Sequence, residues 1–180
     1  MTCAVIFGGT GFIGTFFAEH LLATDSFSKV YLFDKELLEA KSSKYRKGLV
    51  QGLSQTEIVV GDVRQEIAWQ PQENVTLIAN LAAVHREPGH EDFEYYETNL
   101  LGAENICAWA ERVGCDDIIF TSSISPYGPS DQQKNECSLP VPTTAYGGSK
   151  LVAEKIHQTW LARDSDKRHL VIVRPGVVFG

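Results

Sequence analysis

No stretch of the sequence reaches the roughly eighteen consecutive apolar residues that a membrane-spanning helix requires, so no transmembrane segment is expected. Positive charge is scarce where a secretion signal would need it. No Lys or Arg precedes Lys29, and Met1 to Gly14 holds four glycines instead. Across the chain 16 Lys and Arg face 23 Asp and Glu, a net charge of −7. That balance argues against a nucleic-acid partner, which would favour a basic face. It leaves anionic small molecules open, because a helix N-terminus or a few arginines can bind phosphate locally. Cysteine is sparse as well. Cys3, Cys107, Cys115 and Cys137 have neither metal-ligand spacing nor the density of a disulfide framework. Reduced, mostly buried thiols in a cytoplasmic protein are expected, with no metal. Internal repeats, low-complexity runs and interdomain linkers are missing.

What remains is an ordinary globular composition, 43% apolar and 22% charged, unlike that of disordered or fibrous chains. A length of 180 residues supports one domain, residues 1–180, with a substantial core. Strands are expected at Thr2–Phe7, Lys29–Phe33, Glu57–Val60, Val75–Ala79, Asp117–Phe120 and His169–Val173. A helix is expected from Phe12 to about Ala23, with Ile13, Phe16, Phe17, His20 and Leu21 at helical spacing. Others are expected at Lys35–Gln51, briefly at Gln65–Trp69, along Asp92–Val113 and at Ala145–Arg163. The segment Ser125–Thr144 carries four of the seven prolines and reads as a loop. Strands alternating with helices imply a parallel sheet covered on both faces, a doubly wound α/β domain.

Between the first strand and the first helix stands Gly8-Gly9-Thr10-Gly11-Phe12-Ile13-Gly14. Gly9, Gly11 and Gly14 satisfy G-x-G-x-x-G, a pattern that is weak alone. Its context strengthens it. A strand precedes it, a helix follows, and Asp34 stands twenty residues beyond Gly14 at the end of the second strand. Glycine there permits a tight turn, approach of the backbone to a pyrophosphate, and close packing of helix on strand. The Asp34 carboxylate can accept from adenosine ribose hydroxyls and repel a 2′-phosphate, which favours NAD over NADP, although Lys35 beside it could soften the preference.

Tyr146 and Lys150 open the last long helix four residues apart, so phenol and ammonium share a face. A nearby ammonium favours the phenolate, and such a tyrosine can take a proton from a sugar hydroxyl as hydride leaves the same carbon. Ser123, at the C-terminal edge of a strand, could bridge the substrate oxygen and the phenol.

These motifs together resemble the extended short-chain dehydrogenase/reductases with a Rossmann-type fold, and within them the NAD-dependent nucleotide-sugar epimerase/dehydratase family. The matching stretches run in order: Gly8 to Gly14, Gly61-Asp-Val-Arg64, Asn80-Leu-Ala-Ala83, Thr98-Asn-Leu-Leu-Gly102, Thr121 to Gly128, Tyr146 to Lys150 and Arg174-Pro-Gly-Val177. The resemblance implies that NAD lies on the glycine turn, with Asp62 and Val63 flanking the adenine and Asp62 bonding its amino group. It implies that the backbone at Leu81, Ala82 and Ala83 lines the pyrophosphate and ribose, and that Asn99 buttresses the active-site helix and strand. Ser123, Tyr146 and Lys150 match the catalytic trio, with Lys150 also holding the nicotinamide ribose. Pro175, Val177 and Val178 would border the carboxamide. His85 and Arg86 follow the fourth strand, where the family's loop faces the sugar; contacts to substrate and plain solvation are both open.

Two features depart from the family. Phe7 stands where threonine is frequent before the first glycine, which should alter only local packing. Ile124 and Ser125 follow the catalytic serine where the family's 4,6-dehydratases carry an Asp-Glu pair, which disfavours dehydration. His157 and His169 are expected on a helix surface and a strand edge, and Trp69, Trp109 and Trp160 in packing. The function implied is reversible oxidation of a nucleotide sugar at C4 in a homodimeric protein. A one-way keto-sugar reductase and a non-catalytic dinucleotide sensor are the alternatives. The chain closes on apolar Val177-Val-Phe179 soon after its last strand, so the region that grips the sugar is expected to lie outside it.

Overall fold

In β1 (Thr2–Phe7) the side chains alternate between two apolar layers, and this sets the architecture. Cys3, Val5 and Phe7 enter one core cluster, and Ala4 and Ile6 enter another on the opposite face. The computed structural model describes residues 1–35, 44–85 and 89–179, with side chains of residues 44–46 left aside. The remaining elements are α1 (Phe12–Ala23), β2 (Lys29–Asp34), α2 (Lys44–Gly52), β3 (Thr56–Val60) and β4 (Asn74–Asn80). They continue with α3 (Asp92–Val113), β5 (Asp117–Thr121), a 3-10 turn (Ser125–Tyr127), α4 (Ala145–Ala162) and β6 (His169–Val173). The strands form one parallel sheet in the order β3-β2-β1-β4-β5-β6. This is the doubly wound α/β fold.

Helices α1 and α2 supply Ala18, Leu21, Leu22 and Val50 to one layer. On the other face α3 and α4 supply Ile106, Trp109, Ala110 and Trp160. A glutamate capping box at Glu91 and Glu94 starts α3, and Gly114, in the left-handed region at φ +71°, ends it. Thr144 caps α4 by accepting from the Gly147 N–H at 3.1 Å. Helix α2 matches the latter part of the expected Lys35–Gln51 helix; residues 36–43 lie outside the described ones. Towards β5 and β6 on the first face, Phe27, Leu77, Ile119 and Val171 border an open hollow of about 340 Å³. Among the described residues no helix is long and apolar enough to cross a membrane.

Three expectations are corrected. First, Gln65–Trp69 is not helical; it has no regular structure after a turn at Val63-Arg64 and a bend at Gln65. Its carbonyls are taken by α3 side chains instead of by helical amides. Trp109 Nε1 donates to the Trp69 carbonyl at 2.8 Å, and Arg112 donates to that of Ile67. Trp69 then stacks on Trp109 at 5.8 Å beside Phe7, which meets Trp109 edge-on at 5.3 Å.

Second, of the five α1 residues named from helical spacing only Leu21 is fully buried, and the helix packs through Gly14, Thr15, Ala18, Leu21 and Leu22. Ile13 and His20 are exposed, and Phe16 and Phe17 are half-buried. The start of the helix lies too close to the glycine turn for a side chain at position 14: a Cβ there would stand 2.7 Å from the Gly8 carbonyl oxygen. Third, His157 is fully buried, not on the helix surface. It stacks on Phe120 at 4.2 Å and so belongs to the core. His169, by contrast, is exposed at the start of the edge strand β6 and pairs with Asp117 at 3.0 Å.

Candidate active site

The strand order reverses between β1 and β4. In open parallel sheets the ligand crevice opens there, outside the C-terminal ends of the strands. The glycine turn leaves β1 on one side of it, and Leu81–His85 leaves β4 on the other. Gly8 adopts φ +74°, and a Cβ on it would stand 2.8 Å from the Ala82 nitrogen, so the two segments touch. Gly11 differs. A Cβ there would meet only the Gly8 carbonyl oxygen, at 3.1 Å, which leaves its other side open. Gly11 is also the N-cap of α1 and offers no side chain to the first-turn N–H groups. An open glycine beneath uncapped amides is a cradle that fits a dinucleotide pyrophosphate.

Asp34 reaches this turn from the end of β2. Its Oδ2 accepts from the Thr10 N–H at 3.2 Å and the Thr10 hydroxyl at 2.8 Å, and its Oδ1 accepts from the Lys35 N–H at 2.8 Å. A carboxylate has about four acceptor sites, so capacity for further donors remains. Asp62 is engaged more fully. Arg64 donates to it from Nε, Nη2 and the backbone N–H. The guanidinium holds the Asp62 carboxyl below the usual carboxylate range, so an adenine amino group would share it with Arg64. Val63 is buried against Gly102.

Two asparagines fix the loop after β4. Asn99 of α3 accepts from the Val84 N–H at 3.0 Å and donates to the Ser149 hydroxyl of α4 at 2.9 Å. Asn80 accepts from the Ala82 N–H at 3.2 Å. His85 is exposed at the end of this loop, and Arg86 lies outside the described residues.

Past β5 and β6 the backbones stay side by side, with Ser122 donating to the Val173 carbonyl and Ile124 to that of Pro175. Ser123 therefore sits beside Pro175. Its hydroxyl pairs with that of Ser125 at 3.1 Å and accepts from the Ser125 N–H. Lys150 is buried under the same edge, its ammonium donating to the Thr121 carbonyl at 2.6 Å. Burial pushes its pKa down to about 7, and the charge of Glu154 opposes that shift. Tyr146 is half-buried one turn earlier, its ring 5.9 Å from that of Tyr95. Val177 and Val178 are both exposed, and Val178 lies with Phe12, Ile13, Phe16 and Phe179 around an open hollow of about 520 Å³.

Sequence reasoning missed the polar layer beneath this edge. Glu154, fully buried, receives a bidentate Arg174 at 2.9 and 2.6 Å and the Ser122 hydroxyl at 2.5 Å. Arg174 also donates to the Tyr127 hydroxyl. The available signal was spacing: Lys150, Ala153, Glu154 and His157 share one face of α4, and all are buried.

A glycine turn with open amides thus follows β1, and a serine and a lysine of lowered pKa stand at the end of β5, with a tyrosine one turn earlier on α4. The model of the NAD dependent epimerase/dehydratase family matches residues 4–180. The chain is 31% identical over 177 residues to N-acetyl-alpha-D-glucosaminyl-diphospho-ditrans,octacis-undecaprenol 4-epimerase of Escherichia coli O157:H7, covering 98% of this chain and 49% of that protein. It is 29% identical over 162 residues to UDP-glucose 4-epimerase of Lacticaseibacillus casei, covering 87% and 46%. In fold it matches UDP-glucuronic acid 4-epimerase from Bacillus cereus, solved in complex with NAD, with a TM-score of 0.83 at 22% identity, covering 99% and 57%. The chain spans about half the length of the curated relatives it matches. With a family match over nearly its whole length, and a fold to go with it, the chain belongs to the NAD-dependent epimerase/dehydratase family.

Proposed function

We propose that this chain binds NAD in the crevice between β1 and β4 and carries the proton-transfer residues of a nucleotide-sugar 4-epimerase. The observation that carries the reading is Lys150. Its ammonium is buried against the end of β5, two residues before Ser123 and one helical turn beyond Tyr146, and its pKa is about 7. A lysine poised near neutrality is costly to bury and is a feature of functional sites.

The first-turn amides of α1, with Gly11 and the backbone at Leu81–Ala83, hold the pyrophosphate. Asp34 accepts from the ribose hydroxyls. Bound NAD would accept the hydride from the sugar carbon and return it to the opposite face of that carbon, which inverts it. The Tyr146 oxygen takes the proton of the C4 hydroxyl and gives it back, so it acts as base and then as acid. The Ser123 hydroxyl bonds the same sugar oxygen and fixes its distance from Tyr146. Lys150 favours the phenolate by its charge. The two curated relatives named above are 4-epimerases, which supports this reaction over reduction. Dehydration is disfavoured because Ile124 and Ser125 offer no carboxylate where a 4,6-dehydratase needs one.

The test pairs calorimetry with turnover of a panel of nucleotide sugars. In a protein that carries the sugar-gripping region together with this chain, Tyr146→Phe is expected to retain NAD binding and to lose about 10²–10⁴-fold in turnover, the contribution of general acid–base catalysis. Absence of NAD binding by the unmodified chain, or undiminished turnover by the variant, overturns the reading.

A further inference from the structure

His157 is a buried titratable group for which the proposed chemistry has no use. Its ring stacks on Phe120, and the Lys150 ammonium lies over that same Phe120 ring, 4.4 Å from its centroid. Nδ1 of His157 is 2.8 Å from the Ala153 carbonyl, and Nε2 is 3.3 Å from Nδ2 of Asn80. Asn80 is itself buried at the end of β4, with Oδ1 facing the Ala82 N–H.

The two ends of this chain of bonds have fixed roles, and they determine everything between. The Ala82 N–H can only donate, so Asn80 must turn its oxygen towards it and its amide hydrogens towards His157. Nε2 must therefore accept. The Ala153 carbonyl can only accept, so Nδ1 must carry the proton. Both ends demand the same neutral tautomer. Burial agrees, pushing the imidazole pKa down to about 4. Lys150 also opposes a second proton, while the Ala153 carbonyl and Glu154 favour one. An imidazolium would aim Nε2–H at the Asn80 amide. Relief by turning that amide over would leave the Ala82 N–H facing a donor.

We propose that His157 is a positioning residue for the cofactor. Acting through Asn80, it holds the backbone of Leu81–Ala83 against the glycine turn, in the geometry that meets the pyrophosphate. The proposal rests on reading that loop as part of the NAD site. It makes α4 the brace for both sides of the crevice, since Ser149 of the same helix holds Asn99 and thereby Val84.

Calorimetric titration of NAD into the chain and its variants, with nitrogen NMR of the histidines, tests this. His157→Phe keeps a ring against Phe120 and loses the acceptor. It is expected to weaken NAD binding about ten-fold, the equivalent of one hydrogen bond. Asn80→Ala should weaken binding similarly, and adding His157→Phe to it should cost nothing more, because the histidine acts through the asparagine. His157→Gln, whose amide oxygen can accept from Asn80, should regain most of the affinity. In the unmodified chain His157 should be the neutral Nδ1–H tautomer. Unchanged affinity in His157→Phe, full additivity with Asn80→Ala, or an Nε2–H tautomer would each overturn the proposal. Should His157→Phe not fold, the tautomer and the affinity of His157→Gln decide. A chain that binds no NAD refutes the functional reading instead, and the tautomer still judges the Asn80 relay.

Discussion

Asp34 does its work at the end of β2 by being anchored as well as charged. Thr10 holds one carboxylate oxygen in place, and on the proposed reading that negative charge would face the 2′ position of a bound ribose. The unmodified chain should therefore bind NAD much more tightly than NADP, and Asp34→Ala should narrow the gap. Calorimetric titration with both cofactors checks this, and equal affinities in the unmodified chain would refute it. Lys150 yields a prediction in pH. Burial places its folded pKa near 7, against an ordinary value of 10.5. Between those values the unfolded chain binds the extra proton, so stability rises with pH across that window. Below about 7 the full cost of the buried ammonium is present. The slope attributable to this one group is at most about 1.4 kcal/mol per pH unit. Urea unfolding of the unmodified chain and Lys150→Met between pH 7 and 10 should show this contribution only in the former. Equal slopes would mean that the lysine is not buried as described.

At the scale of elements, α4 depends on a charge pair that joins parts of the chain twenty residues apart. Glu154 is fully buried and Arg174 largely so. Removing one partner strands a buried charge, so Arg174→Met should cost about 3–5 kcal/mol in urea unfolding. Replacing Glu154 with leucine in the same chain should recover much of that loss, because a missing pair costs less than a broken one. A double variant no better than Arg174→Met would show that the ion pair is not what the fold requires there. Nothing local in the sequence announces this pairing, since β6 intervenes between its members. Elements themselves were easier to read. The strands announce themselves as short apolar runs, and Asp92–Val113 emerged with the expected bounds. Helix α1 was legible as a helix but not in orientation. Apolar residues occupy more than one of its faces, so periodicity had no single solution, and the small side chains Gly14, Thr15 and Ala18 decided the packing. Gln65–Trp69 failed for the opposite reason: α3, forty residues later, claims its carbonyls.

For the molecule as a whole, the doubly wound sheet was legible from its strands, and several of the motifs, the glycine turn and Asp34 among them, sit at strand ends, whereas Tyr146 and Lys150 share a face at the start of α4. What holds those motifs to one another was not. The second asparagine, the buried histidine and the glutamate all look like ordinary helix or strand residues until the fold brings them together. The loop after β4 carries the consequence. Backbone amides in a loop normally trade their hydrogens for deuterium within moments, because water reaches them freely. Those of Ala82 and Val84 are instead held by asparagine side chains, which are braced in turn by His157 and Ser149 of α4. They should exchange as slowly as the amides of that helix, and only when the helix lets go. Exchange followed by mass spectrometry on the free chain would expose the link. Thr144→Ala, which weakens the start of α4 by about 1 kcal/mol, should quicken the two loop amides and the helix by one common factor. Loop amides that quicken independently, or that were never protected, would mean that the two open as separate units.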